Sequence, residues 1–128
     1  MKATEVTIGD WVISKDLKVP VKVVSMVQHY GTSIFFYHDT RQYIANDFQF
    51  EPISLTPEIL EKNGFSETTH AGVWFSTELP CSIDIQKNIK NKIDKLDDLY
   101  DEIVVSVDYV HELQHLLAFC GKSGDFIL

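Results

Sequence analysis

Ile34-Phe35-Phe36-Tyr37 is the stretch on which the fold turns. In an extended strand, successive side chains point to opposite faces, so four large apolar residues in a row make both faces of one strand apolar. A solvated two-stranded hairpin has no use for that. Such a strand belongs inside a sheet whose second face is either covered by the rest of the chain or offered to a partner. Working outward, Gly31-Thr32 precedes it as a turn and Asp39-Thr40 follows it as another. Tyr43-Ile44 then continues the pattern, and Phe48 and Phe50 alternate with Gln49. Upstream, residues 19–27 are rich in valine, with Pro20 near the start, where a missing N–H does least harm. Val6 and Ile8 lead into a turn at Gly9-Asp10 and then Trp11-Val12-Ile13. Short strands at this spacing predict a small antiparallel barrel or sandwich.

Ile8-Gly9-Asp10-Trp11-Val12 followed by Val21-Lys22-Val23-Val24-Ser25-Met26 resembles the first two strands of a small barrel of the KOW or Tudor kind. Residues 1–54 are therefore expected to form a barrel-like half. Residues 55–128 are expected to form an α+β half, integrated with the first into one domain.

The second half opens on Leu55-Thr56-Pro57-Glu58-Ile59-Leu60-Glu61-Lys62-Asn63-Gly64-Phe65. Thr56 is placed to cap a helix that Pro57 begins, Glu58 complements its dipole, and Gly64 supplies the left-handed residue that ends it. Leu55 and Leu60 have the spacing of a hydrophobic staple. Residues 72–86 read as a hairpin turning at Leu79-Pro80. Ile89, Ile93, Leu96, Tyr100 and Ile103 recur at helical spacing, with a charged loop as the alternative. Val104, Val105 and Val107 make a strand, Asp108 is placed to cap a helix from Tyr109 to Cys120, and Asp125-Phe126-Ile127-Leu128 reads as a closing strand.

The chain has 128 residues, 45% hydrophobic and 23% charged, which suits a folded core and excludes wholesale disorder. Its net charge is −8, and residues 57–128 hold thirteen of the nineteen acidic groups. That balance argues against a protein whose main task is gripping phosphate backbones. No apolar run reaches the length of a membrane span, and no signal-like core opens the chain. With only Cys81 and Cys120, a disulfide scaffold is not expected. A cytoplasmic protein with reduced, apolar-packed thiols is.

His111-Glu112-Leu113-Gln114-His115 matches the H-E-x-x-H pattern on a predicted helix. Imidazoles at i and i+4 stand one turn apart and can share a zinc ion, and the intervening glutamate can take a proton from metal-bound water. Chance supplies about 0.01 such match in a chain of this composition, close to the prior for a small zinc peptidase. A catalytic zinc needs a third protein ligand. The extended pattern would place Gly and His at Ala118 and Gly121, and neither fits. His29, His38, His70, Cys120 and Asp125 are candidates that nothing in the sequence selects. The preferred reading is a packing helix whose histidines face away from the stripe of Val110, Leu113, Leu117 and Cys120.

The segments Pro52-Ile53-Ser54-Leu55-Thr56-Pro57-Glu58-Ile59-Leu60-Glu61-Lys62-Asn63-Gly64-Phe65 and Tyr109-Val110-His111-Glu112-Leu113-Gln114 resemble a group of small uncharacterised proteins of gut Bacteroidetes and their phages or prophages. The resemblance implies a shared fold and carries over no catalytic or binding residue.

No phosphate loop, Cys-x-x-Cys or G-x-S-x-G is present. Asp94, Asp97, Asp98, Asp101 and Glu102 lack the alternation and central glycine of a calcium loop and read as a solvated helix face. Tyr30, Phe35, Phe36, Tyr37, Tyr43, Phe48 and Phe50 could form a stacking platform for single-stranded nucleic acid, but the flanking basic groups, Lys15, Lys18, Lys22 and Arg41, are few, and core packing accounts for the aromatics more simply. The sequence thus assigns no catalytic, cofactor-binding or metal-binding residue and no cofactor. Its expected function is non-enzymatic, an adaptor or binding module for another protein. The alternatives are a zinc hydrolase through His111, Glu112 and His115, and a nucleic-acid-associated small barrel.

Overall fold

The structure, a computed structural model, describes residues 1, 5–28, 32–86, 104–122 and 126–128. It is mixed α+β and divides into two units, Met1–Ile53 and Ser54–Leu128. The proposed helix through Ile89, Ile93, Leu96, Tyr100 and Ile103, and the acidic run beside it, lie outside the described residues.

The first unit is one antiparallel sheet. Strands β1 (Trp11–Ser14), β2 (Val19–Gln28), β3 (Thr32–His38), β4 (Arg41–Asn46) and β5 (Phe50–Glu51) lie in the order β4-β3-β2-β1-β5. The expected barrel does not close, because β4 and β5 end the order and do not pair with each other. With only two residues, β5 is too short to bridge back to the far edge. Val6 and Ile8 lie ahead of the first strand. Thr7–Asp10 is a turn, in which the Asp10 carboxylate accepts hydrogen bonds from the Thr7 N–H at 2.7 Å and the Thr7 hydroxyl at 3.2 Å.

The alternation of each strand is visible in its burial. Val12, Val21, Val23, Ile34, Phe36 and Phe50 turn inward and form the core with Val6. Phe36 stacks on Tyr43 and meets Phe50 edge-on, in the offset and perpendicular geometries that aromatic quadrupoles favour. The inward phase slips within β2. Val23 faces Phe36 and Ser25 faces Phe35, so Val24 is an extra residue, a β-bulge. The slip lets Met26 pack against the core although Val21 and Val23 are at odd positions. The opposite face carries Val24, Phe35, Tyr37 and Ile44, with Phe35 directly across from Ile44. The β3–β4 turn is built from Asp39 and Thr40, both with positive φ, which matches the right-handed twist of the flanking strands.

In the second unit, α1 (Pro57–Lys62) forms as its sequence dictates. The Thr56 hydroxyl accepts the Ile59 N–H, Pro57 occupies the first turn, and the chain leaves through Gly64 at φ +84° with the Phe65 N–H on the Leu60 carbonyl. Leu55, Leu60 and Phe65 are all buried. Strands β6 (Ser66–Glu67), β7 (Val73–Phe75), β8 (Ser82–Asp84) and β9 (Val104–Ser106) form a second sheet in that order. Strands β6 to β8 are antiparallel and β9 joins β8 in parallel. The predicted hairpin is β7–β8, and β6 is an addition too short to show periodicity in sequence. The last helix, α2, spans Val110–Phe119 and ends at Gly121, φ +76°.

The expected closing strand is absent among residues 126–128. Asn63 takes its place as their partner. Its side-chain oxygen accepts the Ile127 N–H and its amide nitrogen donates to the Ile127 carbonyl, both at 2.8 Å. A side-chain amide carries one acceptor and two donors, so it can satisfy a short segment that has no strand beside it.

The candidate site on helix α2

Helix α2 carries the only hydrolase-like pattern in the sequence, and its start fixes the role of Glu112. Tyr109, not Asp108, is the residue at the helix boundary. Tyrosine has no short side-chain oxygen with which to cap the first turn. Glu112, three residues on, reaches back instead, and one carboxylate oxygen accepts the N–H of Tyr109 at 3.0 Å and of Asp108 at 3.2 Å. This is half of a capping box, and its negative charge sits at the positive end of the helix. The glutamate that a zinc hydrolase would hold beside its water is engaged in starting the helix.

The histidines also depart from expectation. The sequence predicts His111 on the outer face, yet it is only 4% exposed and lies with Val110, Leu113, Gln114 and Leu117 on the buried side of the helix. At 100° per residue, 110, 113, 114 and 117 define the stripe. His111 widens it because the flanking Tyr109 ring covers it, stacked at 5.8 Å between centroids. His115 is half-buried and meets His111 edge-on at 5.7 Å. The two rings are therefore neighbours, as i and i+4 spacing requires.

A third donor does not join them among the described residues. Among the described residues, no group of three or more His, Cys, Asp or Glu side chains is placed to hold a metal ion. His38 belongs to the first unit and sits 3.4 Å from Asp39. His70 lies in the turn between β6 and β7, where its backbone bonds Thr68 and Val73. His29 and Asp125 fall outside the described residues.

Cys120 lies at the end of α2, and its influence reaches Cys81, just before β8. Burial, and then the neighbouring Cys120 thiol, push the Cys81 thiol above its ordinary pKa. Both cysteines are free and partly exposed, not fully buried as the sequence suggested. A raised pKa keeps the thiol protonated near neutral pH, opposite to what a nucleophilic or metal-binding cysteine needs.

The aromatic set divides. Phe36, Tyr43 and Phe50 are engaged with one another inside the first unit, and Phe35 and Tyr37 point the other way. A continuous stacking platform of the kind single-stranded nucleic acid uses is not assembled among the described residues. Comparison with family models, with curated proteins and with solved structures finds no match to this chain.

Two features escaped the sequence reading. The capping role of Glu112 was legible, since the spacing from 109 to 112 is that of a capping box, but the H-E-x-x-H pattern overlies it. The exposure of Val24 was not, because a bulge depends on strand pairing and not on local alternation.

The capping role makes a prediction. Glu112→Ala should destabilise the second unit by about 1 kcal/mol, while Glu112→Gln, which keeps the accepting oxygen, should stay within ~0.5 kcal/mol of the parent. Urea unfolding followed by circular dichroism measures both. Equal losses would show that the carboxylate does something other than cap.

Proposed function

We propose that this chain is a non-enzymatic protein-binding module of the cytoplasm, akin to the small Bacteroidetes phage proteins its motifs resemble. In this reading its partner, another protein, docks on the outer face of the first sheet. The observation that carries the reading is the exposure of Tyr37 (54%) and Ile44 (64%), diagonal neighbours on adjacent strands, beside the exposed Val24 of the bulge. Large apolar side chains grouped on one face are what a binding surface requires and what a solvated sheet avoids. A net charge of −8 favours a partner with a basic rim around an apolar patch, because complementary potentials speed encounter and select register.

Affinity capture from a host extract, run side by side with the parent and a Val24→Ser/Tyr37→Ser variant, tests this. A protein retained stoichiometrically by the parent and lost from the variant supports the proposal. Equal retention, or no partner with either bait, counts against it. Metal analysis of protein purified without chelator addresses the zinc alternative. Stoichiometric zinc that disappears in His115→Ala would make the chain a metalloprotein and overturn the adaptor reading.

A further inference from the structure

Among the described residues, strand β4 is an edge of the first sheet, and it is guarded only at one end, where the Gln49 side chain occupies the Asn46 N–H. Natural edges are guarded by proline, by bulges, by inward-pointing charge or by extreme shortness. Residues Arg41–Asn46 hold no proline, one charge and six residues in unbroken register with β3. The opposite edge, β5, is two residues long.

The backbone of β4 shows which groups point outward. The Asn46 N–H bonds the side-chain oxygen of Gln49 at 2.9 Å, so it points away from β3. Strands repeat every two residues, which aims the N–H and C=O of Ile44 and Gln42 the same way.

We infer that a second copy of this chain pairs antiparallel along β4, with a two-fold axis through Ile44. In that register Ile44 faces Ile44 of the second copy, and the two exchange N–H···O=C bonds in both directions. Gln42 falls opposite Asn46, whose N–H stays with Gln49 while its carbonyl accepts the Gln42 N–H, and Tyr43 falls opposite Ala45. Arg41 falls opposite Asp47, twice, once on each side of the axis. The backbone at Asn46 is still extended (φ −77°, ψ 157°), so the alternation carries Asp47 onto the face of Arg41, and the charges meet with opposite sign. The one large apolar side chain on the outward face of β4 thus buries itself on the axis. The contact is isologous and closes at two copies, so it does not propagate into fibres. The product is a ten-stranded sheet. It shares Ile44 with the adaptor reading, but the two tests are separate, since that one changes Val24 and Tyr37 and this one changes Arg41 and Asp47.

Seven residues a side make a small interface, so the dissociation constant should be on the order of 10–100 μM. Sedimentation velocity at about 300 μM protein and low salt is the measurement. The parent should sediment as a dimer. Arg41→Asp places like charges opposite each other, as does Asp47→Arg, and each should weaken self-association about tenfold or more. An equimolar mixture of the two variants restores opposite charges at both contacts and should return to dimer. A monomeric parent at that concentration, variants that dimerise like the parent, or a mixture that stays monomeric would overturn the inference.

Discussion

Phe36→Ala is expected to destabilise the first unit by about 3–5 kcal/mol, enough to leave it largely unfolded at 37 °C. Phe36 sits at the centre of β3, buried, with Tyr43 stacked on one side and Phe50 edge-on from another. Removing the ring takes away its own transfer free energy and both aromatic contacts. It also leaves a void that the sheet cannot close, because Ile34 and Val23 are held in register by their own ladder bonds. Phe36→Leu, which refills most of the volume, should cost less than half as much. Thermal unfolding of both variants, followed by near-ultraviolet circular dichroism, is the check. A drop under about 1 kcal/mol for the alanine variant would mean that this ring is not central to the core. By contrast Phe35, next in sequence and on the opposite face, should tolerate alanine far better.

Leu113→Ala is the second large expectation, at about 3–4 kcal/mol. Leu113 is fully buried on α2, between the two histidines of the hydrolase-like pattern. The contrast with Glu112→Gln is the informative part. If α2 is scaffold, the unremarked leucine inside the pattern outweighs the glutamate that makes it look catalytic. Chemical denaturation of the two variants under one set of conditions gives the ranking directly. A reversed ranking would undo the structural account of this helix.

Much of the architecture was legible because it depends on nearest neighbours. The cap at Thr56, the stop at Gly64, the turn at Asp39-Thr40 and the stripe of Val110, Leu113 and Leu117 are all set by spacing within one or two turns of chain. What was not legible depends on pairing across the chain. The sheet stays open because β5 has only two residues, and no local signal announces where a strand stops. Asn63 takes the role of a strand for Ile127 across a separation of 64 residues. The burial of His111 follows from the Tyr109 ring laid over it, whereas a helical wheel alone puts that position at the margin of the stripe. At the candidate site the spacing placed both histidines and Glu112 on one helix. There Glu112 bonds the backbone at the start of the helix, a contact that the H-E-x-x-H pattern overlies.

The bulge at Val24 has a further consequence for how this sequence can vary. It acts as a phase shifter, so residues before and after it obey opposite parity rules. Losing Val24 itself would remove the bulge and leave Ser25 opposite Phe35 and Met26 opposite Ile34 as before, in an unbroken alternation. Length along β2 therefore has one residue of slack, at the bulge. Conservative swaps among its valines should be absorbed, and so should a single-codon deletion of Val24.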